Sequence, residues 1–205
     1  MADSPLIPVD EVIRRLVALA QPVQDRLTVT LEHCAGMVLA QDIVAPINVP
    51  PAANSAMDGY ALNVDDPAVM AGAVLPVSDR IAAGYVGQSL QRGTVARIFT
   101  GAPVPVDANA VVMQEDTTQE TGNRVRLNTV PHRGESIRPA GQDILQGTRL
   151  FTAGRRLRPE DTAVIASVGI QQIEAYRPLR IALMSTGDEL VAPPGPLGPG
   201  QIFNA

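Results

Sequence analysis

Four carboxylates of this chain lie in loop-forming sequence: Asp58 in Asn54-Ser55-Ala56-Met57-Asp58-Gly59-Tyr60-Ala61, Asp143 in Gly141-Gln142-Asp143-Ile144, and Asp188 with Glu189 in Ser185-Thr186-Gly187-Asp188-Glu189-Leu190. Asn, Ser and Asp favour turns because their side chains bond nearby backbone, and Gly because positive φ costs it nothing. Carboxylates gathered on turns suit a hard cation such as Mg2+, which takes oxygen ligands and keeps several waters. A cation also brings positive charge to a site that must hold anions. A loop of this kind fixes Asp58 in one pose and leaves room for a ligand beside Gly59. The plainer alternative is a tight turn entering a strand. Asp143 reads equally as a turn or helix-cap residue, and Asp188 either fixes its loop or joins a magnesium site.

Thr100 opens the loop Thr100-Gly101-Ala102-Pro103-Val104-Pro105. Its hydroxyl is suited to bonding an oxyanion, and Gly101 permits close backbone approach. A strand-ending turn stiffened by prolines explains the same residues. Ser185 and Thr186 are poor candidates for a nucleophile. His33 and His132 are the only histidines, neither has a neighbour at triad or ligand spacing, and no Gly-x-Ser-x-Gly elbow exists. No His/Cys cluster supports zinc. Cys34 is the single cysteine, in the apolar run Cys-Ala-Gly-Met-Val-Leu-Ala, and reads as a core thiol.

All 16 basic residues are arginine. Any anion held here is therefore met by guanidinium forks, backbone N–H groups or a metal, and a Walker-type phosphate loop, which needs lysine, is excluded. Arg133, Arg138, Arg155, Arg156 and Arg158 crowd one stretch, as a solvated face or as an anion-attracting rim. A net charge of −5 argues against a general nucleic-acid binder, and the lack of tryptophan against base-stacking platforms. No apolar run approaches the ~20 residues that span a bilayer. The N-terminal Met-Ala-Asp-Ser-Pro shows no leader pattern, and a lone cysteine fits a reducing compartment, so a cytoplasmic protein is expected.

The elements that must position these loops change character along the chain. Pro8 to Ala20 has helical apolar spacing (Val9, Val12, Ile13, Leu16, Val17) with Asp10 and Glu11 in the first turn. Leu27, Val29 and Leu31 alternate as a strand, and Leu31 to Ala40 reads as a second short helix. The Pro46–Pro51 segment is a candidate boundary. From Ser55 to about Pro131 the pattern is short and β-like. Val111–Met113 and Val125–Leu127 are expected to form a hairpin around Thr121-Gly122-Asn123. Pro159 to Val168 is a predicted helix stopped by Gly169, Gln172–Glu174 a strand, and Leu179–Met184 a strand buried on both faces. The chain ends soon after it, so a truncated α/β domain is expected, since a lone parallel strand cannot form a sheet.

In their order and spacing the four motifs resemble the molybdopterin molybdenumtransferase family (MoeA, and the C-terminal part of gephyrin), over about Pro8 to Asn204. The resemblance implies an α+β multidomain fold. A discontinuous α/β first domain (1–50 and 137–176) carries an inserted small β-domain (51–136), and 177–205 begin a truncated α/β pterin-binding domain. It also implies molybdenum cofactor biosynthesis: insertion of molybdate into adenylylated molybdopterin with release of AMP, by a magnesium-dependent homodimer. Asp58, Glu189 and Asp143 match its catalytic positions, with Asp58 and Glu189 also assigned to the metal. Ser55, Thr100, Gly101 and Asp188 are assigned to substrate binding. The later motifs of the family lie past Ala205, so the 205 residues alone are expected to be inactive. Two other readings stay open: a non-catalytic dimerisation or scaffold module, and a pterin-adenylylating relative, whose α/β domain has a similar Thr-Gly-Asp-Glu loop.

Overall fold

A computed structural model describes residues 6–204; Met1–Pro5, read above as lacking a leader, and Ala205 lie outside the described residues. In chain order the elements are α1 (Val9–Leu19), β1 (Arg26–Thr30), β2 (Ile43–Val44), β3 (Asn54–Ser55), β4 (Gly59–Leu62), β5 (Val74–Ile81), β6 (Val95–Ile98) and β7 (Ala110–Met113). They continue with β8 (Thr117–Glu120), β9 (Arg124–Leu127), β10 (Ile137–Arg138), β11 (Arg149–Phe151), α2 (Pro159–Ser167), β12 (Gln172–Tyr176), β13 (Leu190–Val191) and β14 (Ile202–Phe203). Strand dominates, as the short apolar pieces between Gly, Pro and Asn require. The chain divides into two compact units: Thr28–Ala175, and Met1–Leu27 with Tyr176–Ala205.

The larger unit is built on a six-stranded sheet of order β7-β4-β6-β5-β9-β8. β4 is its most buried strand, with Gly59 to Leu62 all shielded between β6 and β7. Tyr60, Leu62, Val95, Val112, Val125 and Leu127 form one core on this sheet, and Ala61, Ile81, Ala96, Ile98 and Val111 a second. A third core joins sequence from both sides of it: Cys34, Leu39, Ile43, Leu157, Ile165 and Ile173. The short pairs β2–β11 and β3–β10 bring the chain back beside its earlier course. Cys34 is fully buried, its S–H donates to the Leu31 carbonyl at 3.1 Å, and burial pushes its thiol pKa up, as befits a core thiol.

Several sequence expectations hold and three do not. α1, β1, α2 and β12 fall where periodicity puts them. Leu31–Ala40 is not a helix: only Leu31–His33 forms a 3-10 turn, and Gly36 at φ 83° breaks any continuation. The turn at Thr121–Asn123 is real, but its first arm is the polar β8; Val111–Met113 instead pairs with β4, where burial rewards its apolar side chains. Leu179–Met184 is neither a strand nor buried, with Leu183 93% and Met184 87% exposed. A parallel strand needs hydrogen-bonded neighbours on its edges, and among the described residues none flanks this segment. The smaller unit holds α1 and a parallel β13–β14 pair, Leu190 opposite Ile202.

Candidate functional site

Asp58 lies on the turn between β3 and β4, and pairing of both strands fixes it. Ser55 is buried, and its hydroxyl donates to the Met57 carbonyl at 2.5 Å, closing the turn. The Ser55 N–H donates to Ala102 O (2.9 Å) while Gly101 N–H donates to Ser55 O (2.8 Å), binding the Asp58 turn to the Thr100 loop. Gly101 takes φ 80°, a left-handed conformation that favours glycine. The loop thereby turns Thr100 onto Asp58: both its N–H (2.8 Å) and its hydroxyl (2.7 Å) donate to Asp58 Oδ1.

Those two bonds set the electrostatics. The Thr100 hydroxyl, then its N–H, hold the Asp58 carboxyl below the usual carboxylate range against partial desolvation, and nearby Arg97 adds to the effect. Asp58 is thus a pinned carboxylate, with Oδ2 making no hydrogen bond among the described residues. Sequence reasoning missed Arg97. Its guanidinium donates to Gly59 O (3.0 Å) and to Gln114 Oε1 (2.6 Å), and the Gln114 N–H donates to Asp58 O (3.0 Å). An arginine in an otherwise apolar strand, Val95–Ile98, was the available signal. Asn54 Oδ1, buried without a partner, sits one residue from Ser55.

On the side its Cβ would occupy, Gly59 packs against β7. A Cβ on Gly59 would meet Val112 O at 2.0 Å, so glycine serves the close approach of β4 to β7. Ser55, Asp58, Thr100 and Gly101 are brought together. Asp143 is on the same unit, but Arg138 Nη2 donates to both its oxygens (2.9 and 2.7 Å), and Arg138 stands opposite Asn54 in the β3–β10 pair. Asp143 is thus ion-paired with Arg138 in this structure. Asp188 and Glu189 belong to the smaller unit, both exposed, and the Glu189 carbonyl accepts from Ile202 N–H at 2.8 Å. Among the described residues no group of three or more His, Cys, Asp or Glu side chains gathers as a metal site. The arginine stretch is largely neutralised: Arg133 pairs with Asp65, Arg138 with Asp143, and Arg155 and Arg158 with buried Asp161.

Residues 7–169 match the family model described as the MoeA N-terminal region, domains I and II. Among curated relatives, the molybdopterin molybdenumtransferase of Nostoc sp. is 40% identical over 199 residues, 95% of this chain and 45% of that protein. The molybdopterin molybdenumtransferase of Haemophilus influenzae is 37% identical over 175 residues, 85% of this chain and 43% of that protein. A crystal structure of a molybdopterin biosynthesis MoeA protein from Pyrococcus horikosii superposes with a TM-score of 0.83 at 30% identity, over 98% of this chain and 52% of that one. The chain spans somewhat under half the length of these curated relatives.

Proposed function

This chain belongs to the MoeA family through its N-terminal region, and from that premise we propose that it serves molybdenum cofactor biosynthesis as part of a molybdopterin molybdenumtransferase. The reaction is insertion of molybdate, a substrate, into adenylylated molybdopterin with release of AMP. The observation that carries this reading is the double clamp of Thr100 on Asp58 Oδ1. It holds a carboxylate ionised and oriented, with its second oxygen open to a guest. The remaining work is to bring anions together, for which positioning supplies much of the rate. No protein nucleophile is required.

Mg2+ fits the open oxygen of Asp58 as one carboxylate ligand among waters and substrate oxygens. On the family resemblance we also propose Glu189 as a metal-binding and catalytic residue, Asp143 as a catalytic residue and Asp188 as a substrate-binding one. When bound, the cation supplies charge neutralisation for the phosphoryl and molybdate oxygens. Thr100 keeps Asp58 in its ligating pose, Ser55 holds the turn closed, and Gly101 lets the loop approach. We propose 51–136 as the inserted β-domain within a discontinuous first domain of 1–50 and 137–176, and the cytoplasm as the compartment; no described helix is long and apolar enough to cross a membrane.

A homodimer is proposed for the same reasons of family. One observation favours it: Val9, Ile13, Leu16 and Val17 of α1 are all more than half exposed along one helical stripe. Leu16→Glu is then expected to shift the sedimenting species from dimer to monomer. The catalytic reading is tested by Asp58→Asn in the full coding sequence, measuring AMP released from adenylylated molybdopterin. Loss of at least a hundredfold with unchanged melting supports it; near-normal turnover refutes it. The 205 residues alone are expected to release no AMP.

A further inference from the structure

The six-stranded sheet carries a cleft of about 520 Å3 lined by Tyr60, Arg80, Arg97, Phe99, Glu120 and Arg124 among others. Its size falls in the range of small-molecule sites. Three arginines from three different strands line it, Arg80 from β5, Arg97 from β6 and Arg124 from β9. None of the three has a carboxylate partner among the described residues. Arg97 donates to Gly59 O and Gln114 Oε1, Arg124 to Val74 O at 2.9 Å, and the Arg80 guanidinium to nothing. The two acids that also line the cleft, Asp79 and Glu120, are bonded to other donors. Glu120 Oε1 accepts from Arg126 at 2.7 Å, although Arg124 is its direct cross-strand neighbour. Asp79 spends its two oxygens on the backbone N–H groups of Arg80 (2.7 Å) and Gln88 (3.0 Å).

This pairing is the reverse of a solvated surface, where opposite charges meet and cancel. The bases are also held. The guanidiniums of Arg80 and Arg97 lie over the Phe99 ring at 4.6 and 4.7 Å, and Arg97 over Tyr60 at 5.1 Å. Cation–π contact fixes their position; Arg80 keeps its whole N–H fork free, and Arg97 keeps the N–H groups not given to Gly59 O and Gln114 Oε1. Guanidinium forks match tetrahedral oxyanions, whose several oxygens accept paired N–H bonds.

We propose that this cleft binds a tetrahedral oxyanion, free or as a phosphate monoester, with Arg80, Arg97 and Arg124 as its donors. Its chemistry does not depend on the role given to Asp58. Calorimetric titration of the chain at low ionic strength, with adenosine monophosphate, inorganic phosphate and adenosine as probes, tests it. Both anions bind and adenosine does not; the monophosphate binding more tightly marks an organic monoester as the ligand, and phosphate binding at least as tightly marks the free ion. Arg80→Gln and Arg124→Gln, both at exposed positions, each weaken binding about tenfold with unchanged melting. Asp58→Asn leaves binding in place, so failure of the catalytic reading and of this site are told apart. Absence of binding by both anions at millimolar concentration overturns the site. So does affinity unmoved in both arginine variants, or binding lost only in Asp58→Asn.

Discussion

Gly59→Ala asks whether the approach of β4 to β7 is what fixes Asp58. The new Cβ would stand 2.0 Å from Val112 O, 2.9 Å from Val112 C and 3.2 Å from Met113 Cα, all backbone atoms that no rotamer change can move. An ordinary carbon–oxygen contact is about 3.3 Å, so β4 must retreat by roughly 1.3 Å. That retreat strains the pairs Gly59↔Met113 and Tyr60↔Val112 and the core beneath them. Overpacking of this kind costs about 3 kcal/mol. At roughly 2–4 °C per kcal/mol for a chain of this size, melting falls by about 6–12 °C. Gly101→Ala is the control. Gly101 has φ 80° with open space around its absent Cβ, so only left-handed strain is added, about 1–2 kcal/mol. Thermal melts of the two variants beside the unsubstituted chain read the difference. Because Gly59 adjoins Asp58, a displacement of about 1 Å is also expected to cost about a hundredfold in turnover of the full coding sequence. Melting of Gly59→Ala within 2 °C of the parent, or Gly101→Ala as the more damaging change, would refute the reasoning.

Thr100→Val removes the hydroxyl and keeps the N–H, so the Asp58 carboxyl is expected to titrate at higher pH than in the parent, read from its carboxyl 13C shift; an unmoved titration would dissociate Asp58 from Thr100. Asp161 is buried, its carboxyl held far below the ordinary range first by Arg155 and then by the N–H and guanidinium of Arg158 at the start of α2. Asp161→Asn should cost about 2–3 kcal/mol at neutral pH, as urea unfolding would measure. A depressed folded-state pKa stabilises above the unfolded value of about 3.9 and loses that contribution as pH falls toward the folded one, so the gap between variant and parent narrows below about pH 4; a gap constant with pH would contradict the assignment.

Periodicity made α1, β1, α2 and β12 legible because each signal is local: apolar spacing, acids in a first turn, Pro159 at a start and Gly169 at a stop. It failed where a partner decides the outcome. Cys34 to Ala40 is apolar enough for a helix, yet Leu39 and Ala40 donate to distant carbonyls, Leu39 N–H to Arg155 O and Ala40 N–H to Glu174 O, and these bonds outweigh local propensity. Leu179–Met184 shows the converse: strand-like residues do not make a strand without an edge to bond.

The site divides in the same way. Turn chemistry around Ser55, Asp58 and Gly101 can be read from residue types, because a turn is local. That Thr100 donates to Asp58 across 42 residues cannot, since it follows from the antiparallel register of β4 on β6, Gly59 opposite Ile98. The same register sets Tyr60 opposite Arg97, and parallel pairing of β5 on β6 sets Arg97 beside Arg80. One alignment of three strands therefore both clamps the carboxylate and assembles the cation wall of the cleft. A one-residue slip would turn Arg97 to the other face and take Thr100 from Asp58. Asp58 and the arginine cleft should accordingly be lost together by changes that disturb this alignment, and separately by changes to their own side chains.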